Sequence, residues 1–207
     1  MMHPAWWLIP HQTGEGFYNL TLDERILKHR FPLPVLRFYS WRSPCVSYGY
    51  FQNPPAFQKH LPAYRRITGG GIVFHNEDLT YSLTYPRRSA LPWSVRRSYE
   101  AIHRVIQKAL ATLGVSVILC DQEMHGCFCF QSPVRGDLLY QGKKIAGAAQ
   151  RRMGDHLLHQ GSIRVEQLKV DRLKLGDAIT EAFQETYQVA FHNLHFPSGA
   201  SMSESLF

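Results

Sequence analysis

Hydrophobic residues recur at three- and four-residue steps in three stretches of the chain and alternate with polar residues in several others. Steps of three and four place apolar side chains on one face of a helix, whereas alternation places them on one face of a strand. The clearest helix spans residues 94–113 and is followed by Gly114, a residue that commonly ends helices. Residues 15–29 and 177–187 show the same periodicity. The pattern therefore predicts three helices.

Stretches typical of strands fill most of the chain between these helices. In residues 79–85, Leu and Tyr alternate with Thr and Ser, which is the pattern of a half-buried strand. Further strands are predicted at residues 1–10, 35–39, 45–50, 67, 72–74, 115–119, 138–140, 144–150, 157–163 and 189–194. Strands and helices do not alternate regularly, which favours an α+β fold with a mixed, largely antiparallel sheet packed with helices.

The composition is that of a globular protein, with 207 residues, 44% hydrophobic and 19% charged. This length suits one domain over residues 1–196, and we expect the Ser-containing residues 197–207 to form a flexible tail. No apolar run is long enough to cross a bilayer, and the first ten residues lack the basic leader of a signal peptide. We therefore expect a cytoplasmic protein without disulfides and without a membrane partner.

The net charge of +7 adds a question about partners. Basic residues occur as scattered pairs, such as Arg87-Arg88 and Arg151-Arg152, rather than as one stripe, and no known nucleic-acid-binding motif accompanies them. Attraction of an acidic protein or an anionic substrate explains the charge at least as well. The charge therefore does not favour nucleic acid over these alternatives.

Three consecutive glycines, residues 69–71, follow Arg65 and Arg66 and precede an apolar stretch that ends in His75. Glycine lets a ligand lie directly against the backbone, and exposed N–H groups in such a turn form a concave anion site. An arginine beside it can pair with a carboxylate or phosphate. Two interpretations follow: a hairpin turn between two strands, or a cradle for an anionic ligand.

Two further segments carry candidate chemistry. Lys144 precedes a run of small residues, so that its amine either stands over a surface shallow enough for a ligand chain or is simply solvated at a strand start. A semi-exposed lysine of this kind contributes little to packing, so Lys144→Ala should leave the fold intact. Cys127 and Cys129 lie in the irregular residues 120–136. With His125 they form only one metal-binding pair, so we expect no metal site.

Several segments together resemble one family. Residues 65–75 match Arg-Arg-x-Thr-Gly-Gly-Gly-x-Val-x-His, residues 144–151 match Lys-Ile-x-Gly-x-Ala-Gln-x-Arg, and residues 159–163 match a His-Gly-Ser segment with Gln inserted. Residues 17–24, 37–41 and 47–52 resemble its other motifs. The chain is thus similar to the lipoate-protein ligase and octanoyltransferase family, which shares its catalytic fold with biotin protein ligases. One departure is Asn76, where many members have Asp.

This resemblance implies acyl transfer to a lysine of a lipoyl domain. In the family, the glycine-rich loop and Arg66 line the pocket for the acyl carbonyl or an adenylate phosphate. Lys144 contacts the reacting carbonyl oxygen, while Gly147 and Ala149 border an apolar tunnel for the chain. The substrate-binding residues implied are Arg66, Thr68, Gly69, Gly70, Gly71, His75, Tyr81, Gly147, Ala149, His159 and Gly161.

The resemblance also bears on the mechanism. One transferase subgroup has Cys-Phe-x-x-Pro-Ser upstream of the lysine motif, and Cys129 lies at that place. This makes Cys129 the candidate nucleophile, with Lys144 stabilising its thiolate and transferring the proton. Cys127 is the alternative, but it lies two residues off the register of this motif. The thioester donor would be an acyl carrier protein, and the acceptor the lipoyl domain of the glycine-cleavage H protein or of a 2-oxoacid dehydrogenase acyltransferase subunit. This reaction requires no cofactor.

Two alternatives stay open. An ATP-dependent lipoate-protein ligase would use ATP and Mg to form an acyl-adenylate and would need no cysteine. A relative that kept the fold without catalysis would bind only acyl groups or nucleic acid. The choice between lipoate and octanoate as the substrate group, the acceptor protein and the oligomeric state are not determined by the sequence.

Overall fold

The computed structural model of the protein describes residues 4–54, 60–121 and 133–195. Eleven strands of this part of the chain form two sheets. In chain order they are β1 (Ala5–Gly14), β2 (Val35–Trp41), β3 (Cys45–Tyr48), β4 (Ala63–Arg65), β5 (Val73–His75), β6 (Leu79–Pro86), β7 (Ile118–Leu119), β8 (Leu138–Tyr140), β9 (Lys143–Met153), β10 (His156–Ile163) and β11 (Ala190–Asn193).

The large sheet has the spatial order β11-β1-β2-β6-β10-β9-β8-β7. Its β11–β1 and β1–β2 pairs are parallel, and the five other neighbouring pairs are antiparallel. Helices pack against this sheet. The structure therefore confirms the predicted α+β class and the largely antiparallel sheet.

The small sheet has β3 at its centre, parallel to β4 on one side and antiparallel to β5 on the other. The glycine-rich segment connects β4 to β5 and so passes across the end of β3. The hairpin interpretation is therefore wrong, because the strands on either side of the glycines do not pair with each other. Residue 67, predicted as strand, lies in this connection.

Three long helices occur where the periodicity predicts them: α1 (Gly16–His29), α2 (Val95–Thr112) and α4 (Arg172–Tyr187), with the short α3 (Val165–Leu168) before α4. The Ser94 hydroxyl accepts the N–H of Arg97 and fixes the start of α2. Helix α4 begins five residues earlier than predicted. The reason is Asp171, whose carboxylate accepts the N–H groups of Leu173 and Lys174 at the first turn.

Strand β6 shows how the layers are arranged, because its side chains point alternately to opposite faces of the sheet. Leu79, Tyr81, Leu83 and Tyr85 join the main hydrophobic core with residues of α2 and α4. The polar residues between them face α1 and are buried as well. The expected half-buried strand is thus covered on both faces, and its polar face forms a buried polar layer.

Asp23 of α1 is the centre of this polar layer and has no exposed surface. One carboxylate oxygen accepts hydrogen bonds from Arg37 at 2.7 Å and Ser82 at 2.7 Å. The other accepts from Tyr39 at 2.9 Å and Gln160 at 2.7 Å. Burial and the charge of Asp23 raise the pKa of Tyr39 well above its usual value, so that this phenol stays a donor. Asp23 therefore joins α1 to β2, β6 and β10.

We predict that Asp23→Ala destabilises the protein by about 3–5 kcal/mol, because it leaves the guanidinium of Arg37 buried without its carboxylate. Urea unfolding followed by circular dichroism measures the change. The matched control is Glu24→Ala on the same helix, which removes a solvent-exposed pair with Lys28 and should cost no more than about 0.5 kcal/mol. Equal losses for the two variants would contradict the role given to Asp23.

Candidate active site

A cleft lies between the small sheet and strands β9 and β10 of the large sheet. It encloses about 420 Å³ of empty space, including the part open to solvent. Six of the substrate-binding residues implied by the sequence border it: Arg66, Gly70, His75, Gly147, Ala149 and Gly161. The structure therefore brings the three motif segments to one place, although they are up to 95 residues apart between Arg66 and Gly161.

The cleft is narrow because the glycine loop lies against β9. Gly70 has a φ of +85°, and a Cβ placed on it would lie 3.3 Å from the Cβ of Ala149. The loop also lies against Gly49, where a Cβ would come within 2.2 Å of the carbonyl oxygen of Gly70. Side chains at these glycines would therefore push the loop away or fill the gap between it and β9.

Arg66 fixes the shape of this loop from inside. Its Nη2 donates to the carbonyl oxygens of Gly69 at 3.1 Å and Gly71 at 2.7 Å, while Nη1 donates to Ser47 Oγ at 2.7 Å. Thr68 Oγ1 donates to Gln160 at 2.8 Å and ties the loop to β10. Thr68, Gly69 and Gly71 do not border the cleft, so for these three residues a direct contact with substrate stays a prediction.

Lys144 is buried, with 5% of its surface exposed, and its ammonium lies 2.6 Å from Asp137 Oδ2. The solvated-lysine interpretation is therefore wrong, and so is the expectation that this side chain matters little for packing. The direction of the Lys144 side chain follows from a β-bulge in β9. Leu138 pairs with Ala146 but its neighbour Leu139 pairs with Lys144, so one residue of β9 is left over between these pairs. The extra residue lets Lys144 lie against Gly147, where a Cβ would come within 2.5 Å of Lys144 Cε and 2.8 Å of Nζ.

Asp137 is held by several donors besides Lys144. The Tyr99 hydroxyl donates to Oδ1 at 2.5 Å, and the N–H of Val134 donates to Oδ2 at 2.7 Å. The same Tyr99 oxygen accepts the N–H of Ala148 at 2.8 Å. Asp137 therefore connects α2, the segment before β8 and strand β9, and it fixes the ammonium beside Gly147. Gly147 borders the cleft, whereas Lys144 itself does not, so for Lys144 a direct contact with substrate stays a prediction.

Tyr81 and His159 do not border the cleft but lie beneath Gly161, where a Cβ would meet the Tyr81 ring at 2.3 Å. His159 contacts Gln150 through Nδ1 and Tyr81 through Nε2, at 3.0 Å each. Tyr81 contacts His103 Nε2 at 3.1 Å, and His103 Nδ1 contacts the Gly136 carbonyl at 2.6 Å. For Tyr81 and His159 a direct substrate contact stays a prediction.

The chain of contacts beneath the cleft has a defined direction. The Gly136 carbonyl can only accept a hydrogen bond, so His103 carries its ring proton on Nδ1. Its Nε2 then accepts a hydrogen bond from the Tyr81 hydroxyl. The Tyr81 oxygen in turn accepts a hydrogen bond from Nε2 of His159. Burial lowers the pKa of His103 to about 4 and lowers that of His159 well below its usual value. Both imidazoles are therefore neutral. Through this chain of hydrogen bonds they hold Gly136, the residue next to Asp137, in place.

A second polar chain borders the cleft on the side of the small sheet. His75 contacts Ser47 Oγ through Nε2 at 2.6 Å and Asp78 Oδ2 through Nδ1 at 2.8 Å. Trp41 stacks on the His75 ring, with centroids 3.9 Å apart. Burial opposes ionisation of Asp78, but His75 and the hydroxyls of Ser162 and Thr80 keep its pKa below the usual value. This carboxylate is therefore ionised and orients the imidazole.

The cysteine motif lies outside the described residues, and this includes His125, Cys127 and the candidate nucleophile Cys129. Cys45 and Cys120, the cysteines that the structure does describe, are both buried. Burial raises the pKa of Cys45 to about 12, because the thiolate would lose its solvation. A buried thiol with this pKa is a poor nucleophile, so Cys45 is not a candidate for the chemistry.

Comparison with known proteins agrees with the geometry. The model of the lipoyl protein ligase A/B catalytic domain matches residues 15–190. The chain belongs to this family. An octanoyltransferase LipM of Carboxydothermus hydrogenoformans is 33% identical over 82% of this chain and 68% of its own length.

Solved structures of the family share the fold. A lipoate-protein ligase A bound with ATP has a TM-score of 0.72 at 20% identity, covering 94% of this chain and 90% of its own. A bipartite lipoate protein ligase of Thermoplasma acidophilum, described with its E2 lipoyl domain, has the same TM-score and identity, covering 94% and 88%. At this identity the likeness shows the fold alone.

Other cleft residues are absent from the set implied by the sequence. They include Trp41, Ser47, Thr80, Gln160 and Ser162. The family motifs pass through or beside most of these positions, but single Ser, Thr or Gln residues in strands carry no signal of their own. Asp137 was missed for another reason: it contacts Lys144 only because the bulge in β9 turns the lysine toward it.

We predict that Lys144→Ala destabilises the fold by about 3–5 kcal/mol, because Asp137 keeps a buried charge without its cation. Chemical denaturation of the variant measures the loss. Lys143→Ala is the matched control, since its side chain is exposed on the same strand and the change should stay within about 0.5 kcal/mol. A Lys144→Ala protein as stable as the control would show that the pair contributes little.

Proposed function

We propose that the protein is an acyltransferase of protein lipoylation. It moves an octanoyl or lipoyl group from a thioester donor, through an enzyme cysteine, to a lysine of a lipoyl domain. The observation that carries this proposal is the ammonium of Lys144, buried directly behind Gly147, a residue that borders the cleft narrowed by Gly70 and Ala149. The names of the curated relatives at 30–33% identity support the same activity.

The cleft suits an acyl chain that ends in a reacting carbonyl. Gly147, Ala149 and Gly161 expose backbone and small groups along β9 and β10, the kind of surface against which an unbranched aliphatic tail can pack. The Lys144 ammonium can stabilise the negative charge that develops on the carbonyl oxygen. Because Asp137 holds this cation in place, little reorganisation is needed when that charge appears.

Cys129 is the nucleophile in this proposal. Its thiolate attacks the carbonyl carbon of the donor thioester, a bond to the Cys129 sulfur forms, and the bond to the carrier sulfur breaks. The carrier leaves as a thiol, taking the proton that Cys129 had given to Lys144. In the second step the lysine of the acceptor enters as the neutral amine and its nitrogen attacks the acyl carbon of the acyl-enzyme. An amide bond forms as this nitrogen gives its proton to Lys144, the C–S bond breaks, and the Cys129 thiolate departs. Lys144 stabilises the thiolate in both steps.

The proposed partners are an acyl carrier protein as donor and a lipoyl domain as acceptor, from the glycine-cleavage H protein or a 2-oxoacid dehydrogenase acyltransferase subunit. The net charge of +7 suits acidic protein partners. Among the described helices, none has the length and hydropathy to cross a membrane. We place the reaction in the cytoplasm and assign residues 1–196 to the catalytic domain. Residues 197–207, which the sequence predicts as a tail, lie outside the described residues.

An ATP-dependent lipoate-protein ligase is the second candidate. The fold it shares with a lipoate-protein ligase A bound with ATP favours it, as does the arginine and glycine loop at the cleft. In that reaction ATP and Mg would activate lipoate or octanoate as an adenylate, and Cys129 would be dispensable. The names of the curated relatives favour the thioester route.

We predict that the protein gains one octanoyl group on incubation with octanoyl-acyl carrier protein, without ATP, and that Cys129→Ala gains none. The reason is that the acyl group passes through the Cys129 thioester. Intact-mass spectrometry before and after hydroxylamine treatment measures the adduct, because hydroxylamine removes thioesters. Cys120→Ala is the control and should load normally, since Cys120 is buried outside the cleft.

Two results would contradict the proposal. One is an adduct that survives in Cys129→Ala. The other is pyrophosphate release from ATP with free octanoate, at a rate that Cys129→Ala leaves unchanged, which is the outcome expected of a ligase.

A further inference from the structure

Two aromatic side chains remain in contact with water beside the glycine loop. Phe51 is 85% exposed and Tyr50 is 44% exposed. Their rings meet edge to face, with centroids 5.2 Å apart. The N–H of Tyr50 donates to the carbonyl oxygen of Thr68 at 2.9 Å, which attaches the pair to the loop. Aromatic residues are enriched where one protein binds another, so this pair is a candidate contact for a partner.

Arg151 of β9 meets this pair from the other side of the cleft. Its guanidinium carbon lies 5.0 Å from the centroid of the Tyr50 ring, which is a cation–π contact. Alternate residues of a strand share a face, so Arg151 lies on the same face of β9 as Gly147 and Ala149, which border the cleft. Tyr50, Phe51 and Arg151 thus form one surface, which we call the rim surface.

The cleft opens to solvent on the side of the rim surface. Among the residues that border it, Tyr39 and Trp41 are buried whereas Gly70, in the loop beside Tyr50, is exposed. Strand β9 shows the same gradient, since residues 144–147 are buried and residues 148–151 are half-buried. A protein that approaches the cleft from solvent therefore meets the rim surface.

The segments around this opening carry positive charge and no negative charge. Residues 47–54, 60–73 and 143–153 contain four arginines and two lysines but no Asp or Glu, although the whole chain has 16 acidic residues. Two of these six cations, Arg66 and Lys144, are buried, and the other four reach the surface. Such a surface attracts an acidic partner and repels a basic one.

We propose that the rim surface binds the acceptor, a lipoyl domain with acidic residues around its target lysine. This rests on the proposed acyl transfer. A lysine side chain is only a four-carbon stem, so the domain that carries it must lie against the opening while its amine reaches the acyl carbon. An acyl carrier protein, by contrast, presents its thioester on a long flexible arm and can bind farther away.

The dimensions and the chemistry of the rim surface suit this acceptor. Arg151 is four residues from Gly147, about 13 Å at the rise of a strand, which lies within the footprint of a small domain. Stacking on Tyr50 orients the guanidinium before binding and leaves its edge N–H groups to donate to a carboxylate of the partner. Phe51 adds apolar contact beside this charged one.

The test follows the two half-reactions separately. Phe51→Ser removes the exposed ring, and Arg151→Glu reverses the charge. Each protein is loaded with octanoyl-acyl carrier protein, and intact mass gives the rate. The loaded protein is then discharged by an unmodified lipoyl domain over a range of concentrations, or by hydroxylamine, a small nucleophile that needs no docking surface.

We expect the KM for the lipoyl domain to rise about 10-fold in each variant while kcat is unchanged, because only docking is lost. Loading and discharge by hydroxylamine should stay within about twofold of wild type. Higher ionic strength should weaken transfer by wild type more than transfer by Arg151→Glu, since salt screens an attraction that this variant already lacks.

The matched controls are Leu173→Ser and Arg104→Glu. Leu173 is another exposed apolar residue, on α4, and Arg104 is another exposed arginine, on α2. Both helices pack on the face of the large sheet that is turned away from the cleft. The kinetics of both controls should match those of wild type.

Binding is also measured without catalysis, by adding each unloaded protein to an isotope-labelled lipoyl domain and recording NMR spectra. Amide signals around the target lysine should shift with wild type and with both controls. At the same concentration they should shift less with Phe51→Ser and with Arg151→Glu.

Three outcomes overturn the inference while leaving the acyl-enzyme intact. The first is an unchanged KM for the lipoyl domain in both variants. The second is loading slowed by the same factor, which would assign the rim surface to the carrier protein. The third is equal slowing with hydroxylamine, which would indicate a structural role. A wild-type protein that forms no adduct refutes the proposed thioester route instead, and the NMR titration then decides whether the rim surface binds the lipoyl domain.

Discussion

Three buried carboxylates determine the shape of the cleft. A carboxylate without contact to water is stable only when donors satisfy both of its oxygens, and each of Asp23, Asp78 and Asp137 takes those donors from the elements that form the cleft. Asp23 holds Gln160, Asp78 holds Ser162 and His75, and Asp137 holds Lys144. The buried charges therefore fix the positions of the groups that the proposed chemistry uses.

Close backbone approach is the second constraint, and it depends on glycine at a few positions. Gly147 makes room for the Lys144 side chain, and Gly161 makes room for the Tyr81 ring beneath it. Gly49 lets the glycine loop lie against β3. At each of these three positions a Cβ would come within 3 Å of a neighbouring atom, so any other residue would displace the Lys144 side chain, the Tyr81 ring or the glycine loop.

Local patterns predicted the long helices and most of the strands, because hydrophobic periodicity and turn residues act over short distances. Helix α2 and strand β6 lie where the sequence places them. The small sheet was not predicted, since β4 and β5 pair with β3 through contacts that no local pattern encodes. Helix α4 begins before its apolar periodicity does, because the side chain of Asp171 caps its first turn.

The site was also predicted only in part, because local sequence patterns do not encode contacts between distant segments. The motifs identified Arg66, His75 and Gly147, and the structure brings these to one cleft. The burial of Lys144 was not foreseen, because it depends on a bulge and on a carboxylate seven residues earlier in the chain. Ser47 and Asp78 were not predicted as site residues, because only the structure shows their hydrogen bonds to His75.

A crystal structure of the protein with octanoate tests the central claim most directly, namely that one cleft holds an acyl tail, the Lys144 ammonium and the glycine loop together. We expect a carboxylate oxygen within about 3.2 Å of Lys144 Nζ, a normal hydrogen-bond distance, and the tail in the cleft along Gly147, Ala149 and Gly161 of strands β9 and β10. Octanoate bound elsewhere, or in the cleft with its carboxylate directed away from Lys144, would contradict the account.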